Sequence, residues 1–303
     1  MTAPARMALP LFGLLFMGAG WGGNLTLAKL ATGLGAPPAG LAFMEALGSG
    51  LLLLAVVCAQ GRKLPLDGRS LRFYAISGAL GVAVPNVLTF YATRHLSVGI
   101  LALLMTLVPL VTYGFSLLLR IERFRWVRAL GLLLGLLGVV LILAPSDSLP
   151  EPGLAGWVAI GFSATAMYAM QNVYVARAWP RDGDALPLAC GGLLASGLML
   201  APLAAAAGGF ISLTPPWGWI QGAGAIMMTV NAVLTVIFVA SIRCAGPVFT
   251  SQTAYLITVA GVLWGMALFN ERHSAWIWSA MVLMCAGVAL VTRRPRGALA
   301  LTP

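Results

Sequence analysis

Residues 38–59 read PAGLAFMEALGSGLLLLAVVCA, an apolar stretch that opens on a proline and holds a single ionisable side chain, Glu45. In a helix these residues, at 1.5 Å each, would reach about 33 Å, enough to cross the ~30 Å hydrocarbon core of a bilayer. A helix also satisfies its own backbone hydrogen bonds, as the bilayer core demands. The stretch therefore predicts a transmembrane helix.

Similar stretches recur along almost the whole chain. Hydrophobic residues make up 60% of the 303 residues and charged residues only 9%, against about 25% charged residues in soluble domains. Charged, Gly and Pro residues divide the chain into ten predicted spans: 9–29, 38–59, 72–92, 97–119, 126–144, 154–176, 185–207, 217–241, 246–269 and 275–292. We predict an all-α integral membrane protein with ten transmembrane helices.

The distribution of basic residues predicts the orientation. With the N-terminus inside, fifteen of the eighteen Lys and Arg residues fall on the cytoplasmic side, and only Lys29, Arg94 and Arg272 fall outside. This bias predicts cytoplasmic termini in the inner (plasma) membrane. The net charge of +10 does not indicate a nucleic-acid partner, because the basic residues stand one to four at a time between apolar spans. The expected partners are the lipid bilayer and a small-molecule substrate.

The two halves of the chain resemble each other. The segment from Asn24 to Lys29 recurs as the segment from Asn172 to Arg177 at an offset of 148 residues, and Glu122-Arg123 recurs as Glu271-Arg272 at 149. We predict domains at 1–148 and 149–303, each a repeat of five helices. Because five is odd, the second repeat must be inverted in the membrane, a design that places transporter sites near the midplane between the repeats.

Two short motifs resemble a known family. The Trp21-Gly-Gly-Asn24 segment with Ala28-Lys29 after it is similar to the opening of the drug/metabolite transporter superfamily, and the two Glu-Arg pairs resemble its loop before the fifth helix of each repeat. The chain thus resembles an EamA-like ten-helix exporter, most of all the aromatic amino acid exporters. The resemblance implies export by alternating access, with helices one, three, four, six, eight and nine around the cavity. One departure is Phe43-Met44-Glu45, where the family usually carries an Arg.

Glu45 is the one acidic residue predicted to lie inside a span. It follows Pro38 by seven residues, about 10 Å along a helix, and an ionisable group at such depth is costly enough to suggest function. One hypothesis is that the carboxylate attracts a substrate ammonium group or carries a coupling proton. The alternative is a structural ion pair with Lys29 or Arg94, which should lie on the same outer side.

Amides and aromatic side chains inside the spans are candidate substrate contacts. Asn24 shares a helix face with Trp21, as Asn172 does with Tyr168, because the spacings are three and four residues. An interhelical hydrogen bond is the alternative role of each amide, and packing is that of each aromatic side chain. Together with Glu45, the predicted substrate-binding residues are Trp21, Asn24, Asn86, Tyr91, Tyr168, Asn172, Asn231, Tyr255 and Trp264.

Pro85 and Pro109 are predicted hinges. Each lies near the centre of a span, where proline removes a helical hydrogen bond and frees a carbonyl group. Proline is also common in membrane helices without such a role.

Several classes of function lack their motifs. The chain has no P-loop, no metal-ligand spacing and only two histidines, both at predicted span ends. We therefore expect no cofactor, no metal and no enzymatic activity, and we expect the protein to function as a monomer.

A membrane-embedded enzyme and a channel are rival classes of function. The preferred function is export of amino acids with aromatic or large apolar side chains, and the alternative is efflux of drugs or organic cations. The sequence leaves the driving force open between uniport and proton coupling.

Overall fold

A computed structural model describes residues 3–92, 94–96, 98–143, 155–180, 183–207, 209–269 and 275–292. All regular structure within these residues is helical. The helices are α1 (Ala3–Gly33), α2 (Pro38–Ala59), α3 (Gly68–Gly78), a π-helical turn (Ala79–Ala83), α4 (Val84–Ala92), α5 (Val98–Leu118), α6 (Trp126–Leu143), α7 (Ala155–Ala178), α8 (Ala185–Ala206), α9 (Trp219–Ala245), α10 (Pro247–Ser251), α11 (Thr253–Phe269) and α12 (Ala275–Thr292). The chain is an all-α protein, as predicted.

Five helical stretches in the described part of the chain are long and apolar enough to cross a membrane. They are Leu11–Gly33, Pro38–Ala59, Gly68–Ala92, Ala185–Ala206 and Trp219–Ala245. Each lies on a predicted span, and α2 has the predicted bounds. The boundary between the two predicted domains and the Glu271-Arg272 pair lie outside the described residues.

Glycine, proline and aspartate end and begin several of the helices. Gly35 and Gly246 follow α1 and α9 with φ angles of 96° and 92°, a left-handed conformation that favours glycine. Pro38 and Pro247 then open the next helices, where the missing N–H of proline costs nothing. The carboxylate of Asp67 caps α3 by accepting hydrogen bonds from two main-chain amides.

Two predicted spans contain an irregularity that the apolar pattern does not show. The π-helical turn Ala79–Ala83 joins α3 to α4 immediately before Pro85, which lacks the amide that an α-helix would use there. The span at 246–269 is divided at Gln252, whose N–H bonds to the Phe249 carbonyl in a tighter turn. By contrast, α5 continues through Pro109. Hinge motion at either proline remains a prediction.

The helices pack closely at glycines. Helix α2 lies against α8, where a Cβ atom on Gly50 would stand 2.9 Å from the main-chain nitrogen of Leu194, and one on Gly197 would stand 2.8 Å from the Cα of Leu47. Helix α6 lies against α12, where a Cβ on Gly131 would stand 2.8 Å from the main-chain oxygen of Gly287. Helix α1 packs on α9 and α11, and α7 packs on α4 and α5. Of these helices, α1, α2, α4, α5, α7, α9 and α11 contribute residues to the cavity described next.

Candidate functional site

A cavity of about 160 Å³ lies between helices of both halves of the chain. Its wall is mostly apolar and aromatic, with amides, hydroxyls and one carboxyl group, as expected of a small-ligand site. The residues that line it are Trp21, Asn24, Leu25, Glu45, Gly81, Val82, Asn86, Thr89, Phe90, Met105, Val108, Tyr168, Gln171, Asn172, Asn231, Thr235, Phe238, Thr250, Ser251, Thr253, Ala254 and Ile257. Seven of the ten predicted substrate-binding residues are among them.

Glu45 is held in this wall by two amides. It is 3% exposed, and its Oε1 and Oε2 atoms accept hydrogen bonds from the Nδ2 groups of Asn24 at 3.0 Å and Asn86 at 3.1 Å. Among the described residues, neither Lys29 nor Arg94 forms an ion pair with it. Lys29 is exposed, and Arg94 donates to a main-chain carbonyl between α1 and α2. The ion-pair alternative is therefore wrong, because both cations point elsewhere.

Hydrogen bonds extend from this carboxylate to both sides of the cavity. The Tyr168 hydroxyl donates to Asn86 Oδ1 at 2.9 Å, in agreement with the orientation in which Asn86 Nδ2 donates to Glu45. On the other side, Trp21 Nε1 donates to Asn231 Oδ1 at 3.1 Å, and Asn231 Nδ2 donates to the Ser49 hydroxyl at 3.3 Å. Polar side chains of five helices are thus ordered around a single buried acid.

The repeat-related amides Asn24 and Asn172 both lie in the wall. Each uses its Nδ2 group on another helix: Asn24 donates to the Met227 carbonyl at 3.1 Å and Asn172 to the Thr112 hydroxyl at 3.3 Å. Each Oδ1 atom is buried with no hydrogen-bond partner among the described residues. The Nδ2 groups of these amides therefore have the interhelical role given above as the alternative, while their Oδ1 atoms have no partner among the described residues.

Three predicted substrate-binding residues lie outside the cavity wall. Tyr255 is fully buried and its hydroxyl donates to the Leu132 carbonyl at 3.0 Å, which joins α11 to α6. Trp264 is 41% exposed and its Nε1 donates to the Ala19 carbonyl at 2.9 Å, which joins α11 to α1. Tyr91 is half-buried near the end of α4. Position within a span did not reveal which way these rings face.

The cavity wall also contains hydroxyl-bearing residues that were not predicted. Thr250, Ser251 and Thr253 line it where α10 meets α11, and Gln171 lines it from α7. Each of the three hydroxyls donates to a main-chain carbonyl of its own segment. The cluster of small polar residues inside an apolar span is the sequence signal that could have identified this stretch.

Metal chemistry has no visible basis in the described residues, which contain no group of three or more His, Cys, Asp or Glu side chains suited to a metal ion. Within the part of the chain that the structure describes, Glu45 is the only acidic residue in the cavity wall. What the arrangement can do is bind a small molecule with a polar group beside the acid and an apolar body against the rings.

Comparison with known proteins shows a similarity to one family of transporters. Residues 8–144 match the EamA-like transporter family. The uncharacterized inner membrane transporter YedA of Escherichia coli (strain K12) is 29% identical over 291 residues, which cover 95% of this chain and 92% of YedA. Protein PecM of Dickeya dadantii is 25% identical over 272 residues, covering 84% of this chain and 85% of PecM.

The fold has a counterpart of known structure. One crystal structure superposes with a TM-score of 0.74 at 20% sequence identity, covering 96% of this chain and 97% of the other. At this identity the likeness concerns the fold alone. Apolar helices, an interior cavity and the match of the first half confirm the resemblance to membrane transporters of the drug/metabolite superfamily. Over residues 8–144, the chain is similar to the EamA-like transporter family.

Proposed function

We propose that the protein exports amino acids with aromatic or large apolar side chains across the inner membrane by alternating access at the interior cavity. The cavity itself carries the proposal, because it is enclosed by helices of both halves and combines ordered amides with the rings of Trp21, Tyr168 and Phe238. A small molecule with a polar amine end and an apolar side chain, as these amino acids have, suits such a wall. The inner-membrane location is supported by the relative YedA, which is described as an inner membrane transporter.

Two inverted repeats are part of the proposal. In the contact of α2 with α8, Gly50 meets Leu194 and Gly197 meets Leu47, and both residue pairs are related by the same offset of 147. The helix contacts are exchanged in the same way: α1 packs on α9 and α11, and α7 packs on α4 and α5. These exchanged contacts support ten transmembrane helices arranged as two halves, the second being an EamA-like repeat of the first.

Ring contacts join helices on the side of the molecule that is predicted to be cytoplasmic. There the ring of Phe73 stacks on Tyr174 with centroids 5.8 Å apart, and Arg243 lies over the ring of Trp179, 5.3 Å from its centroid. These contacts, with cytoplasmic termini, support a conformation that faces outward.

Efflux of organic cations is the second candidate function. Glu45 favours it, because the acid lines the cavity without an ion-pair partner among the described residues. A proton antiporter needs a titratable group in the transport path, and Glu45 would supply it, whereas a downhill uniporter needs none.

Uptake by proteoliposomes tests the proposal. Purified full-length protein would be reconstituted and supplied with a panel of labelled amino acids, with and without a pH gradient, beside protein-free vesicles. We expect saturable uptake of aromatic and large apolar amino acids, accelerated by unlabelled amino acid on the opposite side. Transport of cationic dyes without any amino acid would favour the second candidate. Flux that neither saturates nor exchanges would indicate a channel, and chemical change of the substrate would indicate an enzyme.

A further inference from the structure

The wall of the cavity has an excess of hydrogen-bond acceptors. Glu45 contributes two carboxyl oxygens, and each accepts only one described hydrogen bond from a side chain, although a carboxylate has about four lone-pair sites. The Oδ1 atoms of Asn24 and Asn172 are buried without a partner among the described residues. Buried acceptors without a donor are costly, so an N–H group that a ligand brought to these atoms would be stabilised there.

The orientation of the Asn24 amide is set by its surroundings. Its Nδ2 group stands between the Glu45 carboxyl and the Met227 main-chain carbonyl, at 3.0 and 3.1 Å. A main-chain carbonyl can only accept a hydrogen bond. A reversed amide would place its oxygen against that carbonyl, and the Oδ1 atom is therefore the one left without a donor.

The described donors in the same wall are neutral, and several of them are engaged, while Gln171, which carries a side-chain amide, also lines the cavity. Among the described residues, no Lys, Arg or His lines the cavity. Trp21 Nε1 donates to Asn231, and the Tyr168 hydroxyl donates to Asn86. The hydroxyls of the segment around Thr250 donate to main-chain carbonyls. A substrate carboxylate would therefore enter a wall that offers no cation and already contains an acid, and like charges close together repel each other.

From this imbalance we infer that the cavity recognises an ammonium group, bound at Glu45 and Asn24, and that the carboxylate of an amino acid is dispensable for binding. The inference rests on the proposed function, whose cavity it shares, and narrows its substrate class. The ligand is a primary or secondary amine carried by an apolar, preferably aromatic body. The rings of Trp21 and Phe238, whose centroids lie 5.5 Å apart in an edge-to-face contact, form the apolar side for that body.

Three compounds that share the same aromatic body distinguish the role of the amine from that of the carboxylate. They are phenylalanine, 2-phenylethylamine, which lacks the carboxylate, and 3-phenylpropionate, which lacks the amine. Binding to the purified full-length protein would be measured by thermal stabilisation and by competition with labelled phenylalanine in proteoliposomes. We expect 2-phenylethylamine to bind at least as tightly as phenylalanine and at least tenfold more tightly than 3-phenylpropionate. Glu45→Gln should weaken 2-phenylethylamine at least tenfold.

Asp67→Asn is the matched control, because it removes an equal charge outside the cavity and asparagine caps a helix as well as aspartate does. It should leave all three affinities unchanged. Equal binding of 3-phenylpropionate and 2-phenylethylamine, or amine binding that survives Glu45→Gln, would overturn the inference while transport of phenylalanine upholds the proposed function. Glu45-dependent binding of the amine without transport of any amino acid would support the inference and overturn amino acid export. Absence of binding by all three would overturn both. If Glu45→Gln does not fold, the amine-to-acid comparison on the native protein decides.

Discussion

Two glycines should be equivalent in the packing of α2 against α8. A Cβ atom on Gly50 would stand 2.9 Å from both the main-chain nitrogen and the Cδ2 of Leu194, and one on Gly197 would stand 2.8 Å from both the Cα and the Cβ of Leu47. Since main-chain atoms are among those met, no side-chain rotation relieves the overlap. In Gly50→Ala or Gly197→Ala, the two helices would have to separate.

The expected cost combines two opposing effects. Forcing an extra methyl group into a closely packed contact costs about 1–3 kcal/mol, and replacing glycine by alanine inside a helix returns up to about 1 kcal/mol. Because the obstacle here includes backbone, we expect each variant to lose about 1–2 kcal/mol of its free energy of unfolding. At roughly 2–4 °C per kcal/mol, the melting temperature should fall by about 2–8 °C.

The effect would be measured by thermal melting of the purified protein in detergent, with intrinsic fluorescence as the signal. Gly114→Ala is the control, because this helical glycine has nothing within 4 Å of its would-be Cβ atom; its melting temperature should stay the same or rise. A Gly50→Ala variant that melts like the native protein would refute the packing described here. Unequal losses in Gly50→Ala and Gly197→Ala would refute the equivalence of the two halves.

Two further substitutions test the π-helical turn and the cap of α3. A Cβ atom on Gly81 would overlap the side-chain amide of Gln171, so Gly81→Ala should lower both the melting temperature and transport. Adding Gln171→Ala should restore the melting temperature. If the double variant melts no higher than Gly81→Ala, the clash is not the cause. Asp67→Ala should lower the melting temperature at neutral pH, and the difference from the native protein should shrink in acid. Hydrogen bonds from Ser70, of which that from its hydroxyl has the largest effect, lower the pKa of Asp67 below its usual value. The stabilisation by Asp67 is therefore present above the unfolded pKa and is lost as the pH falls through the folded pKa. A difference in melting temperature that is independent of pH would contradict this role.

Much of the fold could be predicted because its strongest signal is local. The length and polarity of residues 38–59 define α2 without reference to any other part of the chain, and the helix has the predicted bounds. The break at Gln252 and the π-helical turn before Pro85 were missed, because both depend on where individual carbonyls and amides find partners. An apolar pattern contains no information on those choices.

The candidate site was predictable to the extent that it depends on helical spacing. Trp21 and Asn24 share a face by their spacing alone, and both line the cavity. Tyr255 and Trp264 met the same criteria of type and depth, yet their polar atoms bind the main chains of α6 and α1. The sequence states how deep a ring lies in a span, whereas only the neighbouring helices decide whether it meets a cavity or another helix.

By itself, then, the sequence determined that this chain enters a membrane as helices and that one acid lies inside a span. Those properties follow from the free energy of placing each side chain in hydrocarbon, which is summed along the chain. Only the tertiary structure decided which groups meet that acid. Asn24 and Asn86 reach Glu45 from two other helices, while Lys29 and Arg94, the partners expected from sidedness, do not. The side of the membrane on which a charged residue lies follows from the sequence. A hydrogen bond also requires that the two side chains point towards each other from their helices, and only the packing of the helices decides that.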